Sequence, residues 1–202
     1  MDRPAWTCHD GPMRRISVVG NPGSGKSHLA RRLSAALGLP HVEIDAIAHQ
    51  PGWTELDAGE LTARISTATE ADGWVVDGNY RIAVVDGPVW ARADTVVWID
   101  LPRRTVMRQI VPRTVSRVVR RTELWNGNRE PWSNLWAWDP ERSIIRWAWT
   151  RHDKYRQRYG SAMTDPRHSH LQFVRLRSRG EIDRWLASLS REVSDDRAER
   201  AG

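Results

Sequence analysis

Apolar and polar positions follow two different periods, which alternate from one segment of the chain to the next. Short apolar runs predict strands, and longer segments with apolar residues three or four positions apart predict helices. The predicted strands are residues 14–20, 41–44, 74–77, 95–102 and 171–176. The predicted helices are residues 27–37, 57–72, 88–93, 103–121, 141–159 and 180–189. Strands that alternate with helices are typical of an α/β fold with a parallel sheet.

The loop between the first strand and the first helix, residues 20–27, has the sequence GNPGSGKS and fits the pattern G-x-x-x-x-G-K-[ST]. Its glycines allow the backbone to curl with its N–H groups facing inward, and the next helix turns its positive dipole end toward the same hollow. Lys26 is then expected to reach the β- and γ-phosphates of a nucleotide, and the Ser27 hydroxyl to bind Mg²⁺. The alternative is a glycine-rich turn without a ligand. The candidate ATP-binding residues are Gly20, Asn21, Pro22, Gly23, Ser24, Gly25, Lys26, Ser27 and His28.

Two acids stand where predicted strands end. Asp45 follows the second strand, and the carboxyl ends of parallel strands line the ligand crevice of such sheets. There it would bind an acceptor hydroxyl, accept its proton or help to hold Mg²⁺, or else merely cap the next helix. Asp77 ends the apolar run 74–77, and beside the loop strand it is expected to hold Mg²⁺ through water. The alternative for Asp77 is a carboxylate that faces solvent.

The acceptor side of the site is expected near two further segments. The turn at residues 48–54 exposes His49 and Trp53, which suit an aromatic and polar rim for an acceptor substrate, although an ordinary packed turn has the same composition. Arg81 follows Asp77 closely enough for its guanidinium to clamp an anionic group of the acceptor. The alternative is a surface arginine.

Residues 103–140 are rich in arginine and tryptophan and predict a lid. The segment 103–121 has seven arginines and no acid, which indicates a surface that faces nucleotide phosphates or a nucleic-acid backbone, or a solvated helix face. The segment 123–140 has four tryptophans among turn residues, which are also compatible with a small satellite core. A closing lid excludes water and brings arginines to the transferring phosphoryl group. The arginines considered for this role are Arg113, Arg117, Arg129, Arg142 and Arg146.

Whole-chain properties limit the remaining possibilities. A length of 202 residues suits one domain, here 14–189, between a flexible tail at 1–13 and a charged tail at 190–202. The net charge of +6 favours anionic partners, and the single cysteine excludes an internal disulfide and a multi-cysteine zinc site. No long apolar segment is present, which predicts a cytoplasmic protein without a membrane span. Because only two of the 31 basic residues are lysines, Lys26 in the loop favours the nucleotide interpretation.

The order of these motifs resembles the small nucleoside and metabolite kinases with a P-loop, such as adenylate and shikimate kinases. The stretches GNPGSGKS, HQPGW, DGNYR and LWNGNREPW together look like the adenylate-kinase-like proteins known as DNA topology modulation proteins of the FlaR type. This resemblance covers residues 14–189. It implies a P-loop NTPase fold, with a five-stranded parallel sheet flanked by helices and with ATP and Mg²⁺ at residues 20–27.

The resemblance also implies roles for single residues. DGNYR parallels the DGFPR of adenylate kinases, which implies Asp77 near Mg²⁺ and Arg81 on an acceptor phosphate, whereas the lid arginines match only by their place. The chain departs from that pattern at Asn79, Tyr80 and His28. The resemblance therefore implies a kinase that transfers the γ-phosphoryl group of ATP, with Lys26, Asp45, Arg129 and Arg142 as candidate catalytic residues. The acceptor and the oligomeric state stay open, and a nucleotide-dependent nucleic-acid-binding protein is the alternative.

Overall fold

Seven strands and eight α-helices occur in the computed structural model, which describes residues 13–136, 139 and 143–201. The strands are β1 (Arg15–Gly20), β2 (His41–Glu43), β3 (His49–Gln50), β4 (Thr54–Glu55), β5 (Trp74–Asp77), β6 (Thr95–Ile99) and β7 (Gln172–Leu176). The helices are α1 (Lys26–Leu37), α2 (Ile44–Ala48), α3 (Ala58–Ala68), α4 (Pro88–Arg92), α5 (Arg103–Val119), α6 (Ser133–Trp136), α7 (Ile144–Ala162) and α8 (Arg179–Ala201). This order confirms the alternation of strands and helices that the pattern predicts.

Five strands form one parallel sheet in the order β2-β5-β1-β6-β7. Helices cover both faces, so the central strands are buried along almost their whole length rather than at alternate positions. On one face Ile16 and Val18 belong to a buried cluster with residues of α1 and α8. On the other face Trp74 and Trp98 belong to a second cluster with residues of α4 and α7. The five-stranded α/β fold is thus as predicted.

The register of the sheet brings the chemically important residues to one edge. Val18 of β1 pairs with Asp77 of β5, and Asp77 pairs in turn with Glu43 of β2. Gly20, the last residue of β1, pairs with Ile99. Because all five strands run in parallel, their carboxyl ends meet here, and the loop after each strand faces the same crevice.

The segment after β2 has structure that the pattern does not predict. A short helix, α2, begins directly after β2, and residues 49–55 form an antiparallel pair, β3 and β4, around the turn at Pro51–Trp53. In this pair His49 lies opposite Glu55. The pair is too short to show a period of two, so its positions do not stand out from a loop in the sequence. Its effect is to hold His49 and Trp53 in a defined turn.

Both chain ends are predicted as tails. Residues 1–12 lie outside the described residues. At the other end, α8 continues to Ala201, so most of the segment 190–202 is helical. Its residues, SREVSDDRAERA, lack Gly and Pro and combine good helix formers with charges of both signs, so nothing in them ends the helix that begins at Arg179. Among the described residues, no helix is long and apolar enough to cross a membrane.

Candidate active site

The phosphate loop takes a conformation that only glycine adopts without strain. Gly20, Gly23 and Gly25 all have positive φ values, of 150°, 82° and 98°. A Cβ atom on Gly23 would lie 2.7 Å from the Cβ of Ile110 in α5, and one on Gly20 would lie 2.6 Å from the carbonyl oxygen of Ile99. The loop therefore needs glycine both for its curl and for its close packing against the lid helix and the sheet.

Three side chains hold this loop in place. Asn79 and Asn21 bond it to neighbouring segments, and Tyr159 orients Asn79. The Nδ2 of Asn79 donates to the carbonyl of Gly20 at 2.8 Å, and its Oδ1 accepts from the Gly20 N–H at 3.3 Å. The Tyr159 hydroxyl donates to the same Oδ1 at 2.9 Å, which orients the amide. In the loop itself, the Nδ2 of Asn21 donates to the Ala148 carbonyl of α7 at 2.9 Å. The sequence does not identify Asn79 or Tyr159 as contacts of the loop. Asn79 stands out only as a departure from the kinase pattern, and nothing in the sequence marks Tyr159.

A single cleft of 1120 Å³ joins the loop to the other candidate residues. Lys26, Ser27 and His28 line it on the loop side, and Asp45, His49 and Trp53 line it on the opposite side. Arg113 and Arg117 of α5 complete it from the lid. Sequence positions almost a hundred residues apart therefore share one enclosed space, which is large enough for a nucleotide and a second small molecule.

Lys26 and Asp45 both line this cleft, and both are removed from water. Burial lowers the pKa of Lys26, although the nearby carboxylates of Asp45 and Asp77 oppose this shift. Burial also raises the pKa of Asp45, although Lys26, His49 and a hydrogen bond with Tyr80 oppose it. Both shifts have one cause, the removal of charged groups from water. An anionic ligand beside Lys26 would favour its charged form and raise its pKa again. A proton donor beside Asp45 would favour the carboxylate and lower its pKa again.

Tyr80 connects two residues on the acceptor side of the cleft, Asp45 and His49. Its phenol hydrogen-bonds Asp45 and lies 3.4 Å from the Nε2 of His49. Burial raises the pKa of Tyr80, so the hydroxyl stays protonated at neutral pH and donates to the carboxylate. The resemblance marks Tyr80 only as a departure, but the structure places it in contact with the candidate base.

Asp77 lies below the loop, at the end of β5. Its side chain is buried, and its Oδ1 is 3.4 Å from the Nε2 of His41. Asp77 lies beside the strand that leads into the loop, but it is not among the described residues that line the cleft, so its assignment as a magnesium ligand stays a prediction. The structure describes no group of three or more His, Cys, Asp or Glu side chains that would hold a metal ion alone. Magnesium bound to a nucleotide needs fewer protein ligands, because phosphate oxygens and waters supply the rest.

The lid arginines have unequal positions. Arg113 and Arg117 line the cleft, but the Nη1 of Arg117 is 3.1 Å from the Oε1 of the buried Glu130. The half-exposed side chain of Arg129 lies 3.9 Å from Glu123 and is not part of the described lining of the cleft, although the Arg129 carbonyl accepts from the Nε1 of the cleft residue Trp53 at 3.0 Å. Arg146 is partly buried in the first turn of α7, beside the cleft residue Trp147. Arg142 lies outside the described residues, so its assignment and that of Arg129 to catalysis stay predictions.

The predicted aromatic rim is part of a larger wall. His49 and Trp53 meet edge to face with ring centroids 5.2 Å apart, and Trp125 stacks on His49 at 5.7 Å. Trp125 comes from the lid segment, and its contribution to the acceptor side is not visible in the sequence. All three rings line the cleft. Trp53 stands at 85° to Trp125, so the two indoles form an aromatic corner on the side of the cleft that holds Asp45.

Arg81 has a different environment from the one that the motif implies. Its Nε donates to the Oδ2 of Asp86 at 2.7 Å, and its side chain is 66% exposed. It does not belong to the described residues that line the cleft. The exposed turn 81–86 fixes this direction, and its contact with an acceptor stays a prediction.

The site fits a nucleoside triphosphate with Mg²⁺ by the chemistry of its donors. The positive φ values of the loop glycines form the backbone hollow that phosphate oxygens need, and Lys26 and Arg113 supply positive charge beside it. The buried Oγ of Ser24 has no partner among the described residues, so the loop has a polar atom available to a ligand. Ser27 and Asp77 are the residues that would hold the metal.

Comparisons with known proteins bear on the fold. No family model matches the chain. An adenylate kinase from Nocardia farcinica (strain IFM 10152) is 25% identical over 126 residues, covering 49% of this chain and 70% of the relative. The crystal structure of shikimate kinase from Bacteroides thetaiotaomicron superposes with a TM-score of 0.52 at 15% identity, covering 91% of this chain and 99% of that one. A gluconokinase from Sinorhizobium meliloti 1021 gives a TM-score of 0.45 at 17% identity, covering 94% and 98%. The chain therefore has the α/β fold of the P-loop kinases.

Proposed function

We propose that this protein is a kinase that transfers the γ-phosphoryl group of ATP to a small acceptor. The observation that carries the proposal is the cleft in which Lys26 of the phosphate loop faces Asp45 at the end of the second strand segment. A phosphate site alone would suit many nucleotide-binding proteins. A phosphate site that shares one enclosed space with a carboxylate and a second ligand surface suits transfer between two molecules.

Different residues of the cleft have different roles in phosphoryl transfer. The loop N–H groups and Lys26 bind and orient the phosphates, and Arg113 stabilises the negative charge that spreads over the transferring group. Ser27 and Asp77 would hold Mg²⁺, which would supply further charge neutralisation. Asp45 orients an acceptor hydroxyl and accepts its proton, while Tyr80 keeps this carboxylate in place. The walls of the cleft exclude water, which limits hydrolysis of ATP.

The proposal is tested by ADP formation with Mg²⁺ and ATP against a panel of nucleosides, nucleoside monophosphates and small hydroxylated metabolites. The matched variants are Lys26→Ala and Lys154→Ala, which remove the two lysines of the chain one at a time. Lys154 is exposed on α7, so its loss should leave turnover unchanged. Lys26→Ala should abolish acceptor-stimulated turnover while circular dichroism shows an unchanged fold. Undiminished turnover in a folded Lys26→Ala protein would contradict the proposal.

A nucleic-acid partner is the second candidate, and the surface of α5 and the turn after it favour it. Arg104, Arg108, Arg120 and Arg121 are exposed there, whereas Arg103 and Arg117 of the same segment contact Asp153 and Glu130. Fluorescence anisotropy with a labelled DNA duplex tests it. Binding should weaken steeply with salt and fall when Arg104, Arg120 and Arg121 are changed together to Gln. Absence of binding at low salt would remove this candidate.

A further inference from the structure

The acceptor side of the cleft comes from a segment with an unusual charge pattern. The chain has 31 Lys and Arg residues, yet residues 33–63 contain neither. The same segment has five acids, Glu43, Asp45, Glu55, Asp57 and Glu60. In a chain so rich in arginine, a stretch of this length without one indicates that positive charge is unfavourable at the surface it forms.

This segment forms β2, α2, β3 and β4, and it supplies one side of the cleft. Glu43, Asp45 and Glu55 line the cleft from it, together with His49 and Trp53. A phosphate group of an acceptor is normally held by Arg or Lys in bidentate or close contact. On this side the group would instead meet carboxylates, whose like charge opposes binding.

Arg31 of α1 and Arg179 of α8 line the cleft with the phosphate-loop residues, and Arg179 lies against Gly25 of that loop. The other arginines near the site have other partners or other positions. Arg117 contacts the buried carboxylate of Glu130 at 3.1 Å, which neutralises it. Arg81, which the family resemblance implies as the acceptor clamp, contacts Asp86 and lies outside the lining of the cleft. Arg113 is left to stabilise the transferring phosphoryl group, beside Lys26.

The same side has a rigid aromatic wall, formed by His49, Trp53 and Trp125. Two asparagines of the lid segment fasten its two parts together. The Nδ2 of Asn126 donates to the His49 carbonyl at 2.6 Å, and the Oδ1 of Asn128 accepts from the Trp53 N–H at 2.9 Å. Because these bonds fix backbone on both sides, the rings are held in place before any ligand arrives. A wall of this kind suits a flat ring, which it binds by stacking.

From these contacts we infer the class of the acceptor: a hydroxyl compound that has a flat ring and no phosphate group. The inference rests on the proposed kinase function and selects among its possible substrates. The hydroxyl points to Asp45, and the ring stacks on Trp125 and meets Trp53, which stands at 85° to Trp125, edge to face. The acidic side of the cleft rejects phosphate monoesters. Trp125 is thus a specificity-determining residue.

Matched pairs of compounds test this inference. Each ribonucleoside is compared with its 5′-monophosphate, because the two share ring and sugar hydroxyls and differ by one phosphate group. Pyridoxine adds a second flat-ring alcohol, and glycerol and ribose add hydroxyl compounds without a flat ring. ADP formation with saturating ATP and Mg²⁺ is measured for every compound. We expect kcat/KM to be at least 100-fold higher for a flat-ring alcohol than for any phosphorylated compound.

The outcomes separate the two levels of the argument. If monophosphates are the better acceptors, or if only glycerol or ribose is used, the kinase function stands and the inference is overturned. If no compound of the panel stimulates ADP formation, the proposed function itself fails and the inference falls with it. Higher turnover with a nucleoside or pyridoxine supports both.

Variants of the wall give a second measurement. Trp125→Leu should raise the KM for the flat-ring acceptor about tenfold and leave the KM for ATP unchanged, because stacking on an aromatic side chain is lost. Trp125→Phe keeps a flat ring and should restore most of the affinity. The matched control is Trp132→Leu, since Trp132 is half-exposed in the lid and lies outside the described lining of the cleft. Equal effects of Trp125→Leu and Trp132→Leu would overturn the assignment of Trp125.

Discussion

The side-chain amide of Asn79 binds both backbone polar groups of Gly20, donating to its carbonyl at 2.8 Å and accepting from its N–H at 3.3 Å. This pair of bonds ties the end of β5 to the first residue of the phosphate loop. It connects the strand that ends in Asp77 with the loop that contains Lys26. The two halves of the phosphate site therefore have a fixed relative position before a nucleotide binds.

The first prediction concerns this pair. Asn79→Ala should lower the free energy of unfolding by about 1–3 kcal/mol, because both hydrogen bonds to Gly20 and the one from the Tyr159 hydroxyl are lost. Nucleotide affinity, measured by calorimetry, should fall about tenfold, because a loop that is no longer held must be ordered on binding. Asn126→Ala is the control, since Asn126 bonds the backbone of the acceptor loop and not the phosphate loop. A loss of ATP affinity as large in the control would contradict the role of Asn79.

The second prediction concerns the contact between Gly23 and Ile110. Gly23→Ala combines a left-handed backbone with a Cβ atom 2.7 Å from the lid helix, whereas Gly38→Ala has a similar φ but no atom within 4 Å of the added Cβ. Gly38→Ala should cost about 1 kcal/mol for the backbone alone, and Gly23→Ala about 1–3 kcal/mol more, because the lid helix must also shift. Thermal unfolding of the two variants measures the difference.

The same pair of variants separates loop function from stability. Gly23→Ala should weaken ATP binding, because displacement of α5 changes the entrance to the phosphate loop. Gly38 lies at the far end of α1, so the Gly38→Ala variant should bind ATP as the unsubstituted protein does. Equal ATP affinity in both variants would show that the contact with Ile110 does not shape the site.

The third prediction concerns pH. Burial raises the pKa of Asp45 above its ordinary value, and the hydrogen bond with Tyr80 partly lowers it again. A base must be ionised to accept a proton, so kcat/KM should fall on the acidic side at a higher pH than an ordinary carboxylate would give. Tyr80→Phe removes the bond that favours the charged form. It should therefore raise the pKa of Asp45 further and move the acidic limb to still higher pH.

The profile of kcat/KM against pH measures this shift. Tyr155→Phe is the control, because it removes another phenol of the cleft that does not hydrogen-bond Asp45 in the described contacts. Its acidic limb should stay in place. An acidic limb that does not move in Tyr80→Phe would mean that the titrating group is not Asp45.

The fourth prediction compares two arginines. Arg113 lines the cleft and lies near Lys26, whereas Arg81 is exposed and contacts Asp86. Arg113→Ala should lower kcat about 100-fold, a size typical of losing one group that stabilises transition-state charge. Arg113→Lys should recover part of the rate, because it restores charge without the planar fork. Arg81→Ala should change kcat and KM little, and a large effect there with none at Arg113 would reverse the assignment.

Sequence reasoning locates the local parts of this site well. The glycine pattern of residues 20–27 and the acids at the ends of two apolar runs all occur within short segments, where spacing alone specifies geometry. It locates the lid less well, because helix periodicity shows that Arg113 and Arg117 share a helix but not which acids they meet. The partner of Arg117, Glu130, comes from a segment without any period.

The sequence by itself determines the α/β fold, the glycine pattern of the phosphate loop and the position of Asp77 at a strand end, because these follow from local periodicity and from residues with special backbone freedom. Asp45, which the pattern predicts at a strand end, lies instead in the first turn of α2. Only the tertiary structure decides that Asn79 holds Gly20, that Trp125 joins His49 and Trp53, and that Arg81 faces Asp86. Except for the Arg81 ion pair, these contacts join residues far apart in the chain, and their geometry depends on how helices and loops pack against the sheet. Packing is a property of the whole fold, so no single segment specifies it.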